Sequence, residues 1–479
     1  MKIKALFLLA VALLAGLPSF SQAKKWSLEE CIEFAMKKNI SIQLSMLDEK
    51  LAKVDRKDAI GAYLPSATAQ ASHSWNVGLN QNITTGLLEN QTTQFTSAGL
   101  NVGVDIYNGM QNYHRARRAS LSIIAAQYRL TKMREDVALN VANAYLQILF
   151  NKENLKVQQQ QLEIDRQQQA RVQDLVDAGS VPAGDLLDVK ATVATDLQKT
   201  IQAENALLIS KLSLAQLMQL ENFQDFDTED SDYPLDTTGI MNESPSTIYE
   251  KARNERTEVK IAKADVEVAE RDILLAKGAF QPRLQGFYSF NTRAAYADRI
   301  VDYQQSVSTP FRPIGTVGST GELVFTENFV PILGRPESIW RQFDDNKGHS
   351  FGLSLNIPIL NGLAVRNNVE RRKIALDRSK ITLTQEEVNL ETNVYTAYTD
   401  AQGAQKAYEA AIAMSEAREG ALNYARERYE VGLINIFDLN QAQTLSVNAK
   451  SEVLRTKYDY IFRMKILEFY FGVPIYNKQ

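Results

Sequence analysis

The sequence predicts a mainly α-helical chain, duplicated internally, with a small transmembrane β part of four strands that closes as a twelve-stranded β-barrel in a trimer. Three observations lead there. From Gly99 to Gly109, Leu100, Val102, Val104 and Ile106 alternate with Asn101, Gly103 and Asp105, the period of a strand with one apolar and one polar face. That strand feeds a run of about 69 residues with no proline or internal glycine before Gly179, roughly 100 Å if it is one helix. The same order of signals then returns in the second half of the chain.

At the N-terminus, Lys2 and Lys4 precede an apolar run from Ala5 to Leu17, followed by Pro18 and Ser21-Gln22-Ala23. Residues 1–23 read as a secretory signal peptide cleaved after Ala23, because the run is too short to span a bilayer and carries an exit site. Cys31 is the only cysteine among the 479 residues, so the exported chain holds no internal disulfide. Leu28-Glu29-Glu30 before it lacks the small residues that lipid attachment needs. No later stretch offers about 18 consecutive apolar residues, so passage through a membrane requires a closed β-barrel. A net charge of −4 makes no electrostatic case for nucleic acid.

Ser27 and Glu30 form a capping box that opens a helical run through Asn39 to Ala62, and Pro65 ends it. Residues Ala67 to Val77 read as a strand, and Gly78 to Ser97 as a loop rich in Asn, Gln and Thr. After the second strand and the long helix, Gly179-Ser-Val-Pro182 makes a tight turn, glycine closing one helix and proline starting the next. The return helix places Leu186, Val193, Leu197, Ile201, Leu208 and Leu212 at bundle intervals. These elements make a first repeat over 24–220. A polar, acidic linker follows at 221–246, then a second repeat at 247–473 and a tail at 474–479.

The duplication is visible residue by residue. Ala62-Tyr63-Leu64-Pro65 matches Ala279-Phe280-Gln281-Pro282 at an offset of 217. At an offset of 253, Gly99-Leu100-Asn101-Val102 matches Gly352-Leu353-Ser354-Leu355, and Ile106-Tyr107-Asn108-Gly109 matches Ile359-Leu360-Asn361-Gly362. Ala144-Tyr145, Gly179 and Asp185-Leu186 find Ala397-Tyr398, Gly432 and Asp438-Leu439 at the same distance. The second hairpin loop, 292–349, therefore carries an insertion of 36 residues. In each half, the helix before the strands and the return helix together nearly equal the long helix, so two short helices stack alongside one long one.

Four strands cannot close a barrel, whereas three chains supply twelve. In the second half, Phe351, Leu353, Leu355, Ile357 and Ile359 alternate with Gly352, Ser354, Asn356 and Pro358, one face for lipid and one for water. The alternation also fits a half-buried strand of a water-soluble sheet; the signal segment and the lack of other sheet-forming segments favour the barrel. Past the strand–helix junctions lie Arg115, Arg117 and Arg118, and Arg366, Arg371 and Arg372 with Lys373. Cations there oppose the helix dipole, which suits contact with lipid headgroup phosphates; a solvated basic surface is the alternative. In the long helix, Val137, Val141, Tyr145, Ile148 and Leu149 form an apolar stripe, but Gln158–Gln161 and Gln167–Gln169 leave a narrow seam beyond it. That suits a helical wall between aqueous compartments, or an exposed coiled coil.

Strand hairpins, Asn-Gly junctions, long helices, glycine turns and duplication, with Pro358-Ile-Leu-Asn-Gly362 and Arg428-Tyr-Glu-Val-Gly-Leu433 followed by Asp438, resemble the TolC family of outer-membrane efflux proteins over essentially the whole mature chain. The resemblance implies a homotrimer whose barrel continues into an α-helical tunnel across the periplasm of a Gram-negative bacterium. It also implies docking of a periplasmic adaptor (membrane fusion) protein, and through it an inner-membrane pump of RND, ABC or MFS type. By that similarity the docking tips are Ala178, Gly179, Ser180 and Val181 with Val431, Gly432 and Leu433, and the periplasmic gate comprises Asp185 and Tyr429 as a polar link and Asp438 as one position of an acidic ring. Ile434 and Gln441 replace a linking arginine and a second ring aspartate, which implies a weaker latch and a less cation-selective ring. Helix capping is the plain alternative for Asp185 and Asp438.

No enzyme is indicated. His73, His114 and His349 have no metal-type spacing, Gly99 and Gly103 form no phosphate loop, and no cofactor is expected. The second reading is a periplasmic coiled-coil scaffold or adaptor without a pore, although an adaptor would need compact β-domains flanking one helical hairpin. The long loop 292–349, with Phe311, Trp340 and Phe343, reads as a cap or an external binding segment.

Overall fold

The computed structural model describes residues 25–82, 84, 86–221, 224, 226–230 and 239–473. The signal segment 1–23, much of the linker and the tail 474–479 lie outside the described residues.

The helical run after Ser27 is two helices. In α1 (Leu28–Lys38) the Ser27 hydroxyl accepts from the Glu30 amide while Glu30 accepts from the Ser27 amide, both at 3.2 Å. Asn39 breaks the run: its backbone is extended, and its side-chain oxygen accepts from the Ser41 amide at 2.9 Å to start α2 (Ile40–Gly61). Strands β2 (Ser66–Gln81) and β3 (Leu88–Asn108) lead into α3 (Gln111–Asp177), and α4 (Ala183–Met218) returns. The second half supplies α5 (Pro245–Glu255), α6 (Thr257–Gly278), β5 (Arg283–Ala295), the insertion, β10 (Gly348–Asn356), α8 (Ala364–Glu430) and α9 (Ile436–Phe471). Paired helices have equal lengths of 11, 22, 67 and 36 residues, and begin 217, 217, 253 and 253 residues apart.

The chain divides into two compact units. The first comprises residues up to 54, 120–269 and 375 onward. In one of its cores Cys31, Ile32 and Ile42 pack with Val141, Tyr145, Ile148, Leu214 and Met218; in another Ile248, Ala252 and Val259 pack with Leu390, Val394 and Leu467. Cys31, Ala35, Ile42, Val141 and Leu214 of the first correspond through the repeat to Ile248, Ala252, Val259, Val394 and Leu467 of the second, so duplication extends to the packing. Each fully buried Val, Ile, Leu or Met among them contributes about 1.5–3 kcal/mol. A two-residue strand β1 (Lys25–Trp26) pairs in parallel with β4 (Asp227–Thr228), and Lys152 clasps Asp227 and Asp230 at 2.9 Å.

The second unit, 55–119 and 270–374, holds a four-stranded antiparallel sheet in the order β10-β5-β3-β2. At the junction into α3, Gly109 has φ 67° and a Cβ there would lie 2.0 Å from the Gly278 carbonyl oxygen, so only glycine fits.

Three expectations need correction. Residues 78–97 are mostly strand, because β2 and β3 pair all the way from Ser66↔Gly103 to Gln81↔Leu88; the ladder overrides their polar composition. Strand β10 ends at Asn356, ahead of Pro358, which has no amide to donate. The insertion holds further sheet: β6 (Arg299–Gln305) pairs with β9 (Phe329–Gly334), and β7 (Phe311–Thr316) with β8 (Leu323–Glu327). A short helix α7 (Ile339–Asp345) is fastened to β5 by Gln342, whose amide both donates to and accepts from the Ala295 backbone at 3.0 and 2.9 Å. No helix among the described residues is long and apolar enough to cross a membrane.

Candidate functional site

The sheet has two chemically distinct faces. Strand register lines up Ala67, Val102, Tyr288 and Phe351 on one face, with Leu100 and Phe290 beside them. On this face Trp75, Val77, Leu79, Phe351, Leu353 and Leu355 are 61–81% exposed, a continuous apolar surface with no cover among the described residues. The other face lines up Thr68, Asn101, Ser289 and Ser350. Its groups bond one another, Ser289 to Asn101 and Ser72 to Ser97 both at 2.8 Å, and Gln285 to Asp105 at 2.6 Å. Both edge strands, β2 and β10, have only one partner among the described residues. A sheet that is oily outside, hydrogen-bonding inside and open at both edges suits part of a membrane barrel wall.

Of the arginines at the junctions, Arg118 and Arg372 both turn to Asp272, at 2.6 and 3.9 Å, and Arg115 donates to Asn112 at 3.3 Å. Arg117, Arg366 and Arg371 are exposed, with no ion-pair partner among the described residues.

The tips close as the glycines require. Gly179 and Gly432 have φ of 69° and 73°. Ser180 donates to the Leu175 carbonyl, and Leu433 to that of Arg428, both at 2.8 Å, the long bond of a Schellman cap. Val172, Leu186 and Val189 of one hairpin meet Leu422, Ile436 and Leu439 of the other in a small core. Val431 and Leu433 at the second turn, and Leu187 and Phe437 on the following helices, are 62–71% exposed. The last two had no sequence signal beyond their position beside the turns.

The structure brings Asp185 and Tyr429 together. Tyr429 is half-buried on the rim of the small core, and burial together with the Asp185 charge raises its hydroxyl above the ordinary tyrosine range, with Arg171 opposing. Asp185 does not cap α4, since no side chain caps that helix; it sits in the first turn, where its charge favours the dipole. Asp438 is exposed and does not cap α9 either: Asn435 does, accepting from the Asp438 amide at 2.8 Å. Ile434 joins the edge of the small core and Gln441 is exposed.

A polar layer that sequence reasoning missed lies farther along the same helices. Asp165 of α3 is 2% exposed; its carboxylate accepts from Gln161 at 2.9 Å and from Gln443 of α9 at 2.5 Å. Its remaining partner is Asp196 of α4, also buried, which Lys199 meets at 2.9 Å. Burial, then the bond and charge of Asp196, push Asp165 up to about 7, although Gln161 and Gln443 pull the other way. Gln158 and Gln161, expected to face water, are buried here, with Gln158 donating to Ser451 at 3.3 Å. No periodicity marks such a layer, because the hydrogen bonds of Asp165 come from groups on three different helices.

No group of histidine, cysteine and acidic side chains among the described residues is arranged to hold a metal ion. No curated protein matches the sequence. The outer membrane efflux protein family model matches residues 35–219 and 248–472, leaving out the whole of the linker. The fold is shared with the outer membrane protein VceC of Vibrio cholerae, at 14% identity and a TM-score of 0.70 over 93% of this chain and 96% of that one. It is shared also with the Campylobacter jejuni CmeC outer membrane channel, at 16% identity and a TM-score of 0.73 over 94% and 87%. The open state of the Neisseria gonorrhoeae MtrE outer membrane channel gives 16% and 0.65 over 94% and 91%. The chain belongs to the outer membrane efflux protein family.

Proposed function

We propose that three copies of this chain form the passive outer-membrane conduit of a tripartite efflux or type I secretion system, coupled through a periplasmic adaptor to an inner-membrane pump. The observation that carries this reading is the four-stranded sheet, with one exposed apolar face, one hydrogen-bonding face and two unpaired edges. Three such sheets close at twelve strands without an edge. The chain then performs no chemistry; substrate diffuses through water, and energy enters at the pump. A scaffold without a pore has no use for the apolar face. Purified protein in a planar bilayer is expected to show discrete conductance steps and a native mass of three chains; a detergent-independent soluble protein without conductance would overturn the reading.

The tips supply the gate and the docking surface. Asp185 and Tyr429 latch the two hairpins, Asp438 lines the entrance, and residues 178–181 and 431–433 meet the adaptor, whose contacts replace the latch as the tips part. Arg115, Arg117, Arg366 and Arg371 face lipid headgroups or water, while Arg118 and Arg372 serve Asp272 first. Asp185→Ala and Tyr429→Phe trimers are expected to conduct more than the parent; unchanged conductance with intact trimers would remove both residues from the gate.

A further inference from the structure

The hydrogen-bonding face of the four-stranded sheet is interrupted at one row. Register lines up Ser66, Gly103, Phe287 and Gly352 across β2, β3, β5 and β10. The rows on either side are polar, with Asn101 beside Ser289 in one and Asp105 beside Gln285 in the other. Between them Phe287 stands 43% exposed. Its neighbours on both adjacent strands are glycines, and the ring treats them differently. A Cβ at Gly352 would lie 3.2 and 3.3 Å from Cζ and Cε1 of Phe287, so the ring leans over the β10 backbone. A Cβ at Gly103 would meet nothing within 4 Å, so on the β3 side the ring stands beside an open strip of backbone.

The polar groups around that strip are already occupied. Asn101 accepts from Ser289 at 2.8 Å, while Asp105 accepts from Gln285 at 2.6 Å and meets Arg283 at 3.7 Å. A solute resting at Gly103 therefore finds its free contact in the phenyl ring rather than in a hydrogen bond. Phe95, on the same face, shows the contrast. The guanidinium of Arg293 lies over its ring at 4.9 Å, whereas no aromatic or cationic group among the described residues covers Phe287. An uncovered phenyl ring on a wetted wall forgoes the free energy of burial, and recovers part of it when a flat apolar group settles against it.

We propose that Phe287 is a specificity-determining residue of the conduit, a subsite where a planar aromatic solute stacks on the ring above the bare backbone of Gly103. This rests on the conduit reading above, which makes the hydrogen-bonding face the wall of a water-filled passage. Three copies set three such rings at one level. The contact is transient, as passage requires, and favours an aromatic ring over a saturated one of the same charge and similar size by about two- to tenfold.

The test compares benzyltrimethylammonium with its cyclohexylmethyl analogue as blockers of single-channel current through the full-length protein in a planar bilayer. The aromatic cation is expected to half-block at an about two- to tenfold lower concentration. Phe287→Tyr is expected to keep that preference. Phe287→Leu, which still covers Gly352, and Gly103→Val, which fills the open strip and leaves the ring in place, are each expected to abolish it with channels still forming. A parent channel that treats the two cations alike, or a preference that survives either of those substitutions, would overturn the subsite and leave the conduit standing. Protein that forms no channels would overturn the conduit reading and the subsite with it.

Discussion

Helix α3 passes through two kinds of surroundings within the first unit. Between Leu130 and Leu149 it buries Val137, Val141, Tyr145 and Ile148 against α1, α2 and α4, and the Tyr145 hydroxyl donates to the Trp26 and Glu229 carbonyls at 3.2 Å. Between Gln158 and Asp165 the buried groups are amides and carboxylates. The first region gains its free energy from apolar area, which no change of pH alters. The second is held by hydrogen bonds whose strength depends on whether a buried carboxyl carries a proton. One helix is therefore fixed at one level and adjustable at another, and the adjustable level lies nearer the tips.

Breaking the fixed level has the largest effect. Tyr145→Ala is expected to cost about 3–5 kcal/mol, from lost burial and the loss of the hydroxyl's bonds to the Trp26 and Glu229 carbonyls, read as a fall in the denaturation midpoint of the purified protein. The adjustable level comes next, and its signature is pH. Asp165 has a folded pKa of about 7 against an ordinary value of 3.8, so the native state binds the extra proton and this carboxyl's contribution to stability is greatest in acid. It declines as pH rises between those values, and from pH 5.5 to 8 the loss is about 2 kcal/mol. Asp165→Asn removes that slope and is expected to be the more stable protein at pH 8; a parent with no slope over this range would deny the layer its role.

Smaller effects sharpen the contrast at the tips. Asn435→Ala should loosen the start of α9 by about 1 kcal/mol, seen as faster amide exchange there, because the helix loses its cap. The α4 tip has no side-chain cap to lose. Lys199→Ala is the mildest: removing the cation beside Asp196 should move the pH midpoint upward by about half a unit or less, through a partly exposed pair.

Much of the architecture is legible in the residues. The offsets of 217 and 253, read from short matches, coincide with the starts and ends of four helix pairs. Gly179 and Gly432 are left-handed where the turns required it, and Ser27 with Glu30 is the capping box that the spacing announces. The gate candidates were legible only through resemblance, and one of them, Asp438, shares its turn with an asparagine that does the capping. Asn39 was read through because a single asparagine inside a helical pattern is tolerated; its side chain makes the break by accepting from the Ser41 amide at the start of α2 and donating to the Leu217 carbonyl of α4, both at 2.9 Å. The long hairpin and the strands of the insertion escaped because Asn, Gln and Thr pair as well as valine does when a partner strand lies beside them.

By itself the sequence determined the order of the long helices, the duplication, the glycine turns and the two-faced strands, since each follows from local backbone preference and periodicity. Tertiary structure alone decided which polar groups go inside and which charges find partners. Gln161 and Asp165 are buried because Gln443 and Asp196 arrive from elsewhere in the chain, and Asp272 collects arginines 154 residues before it and 100 residues after it. Burial of a polar group is decided by its distant partner, and no local pattern carries that information.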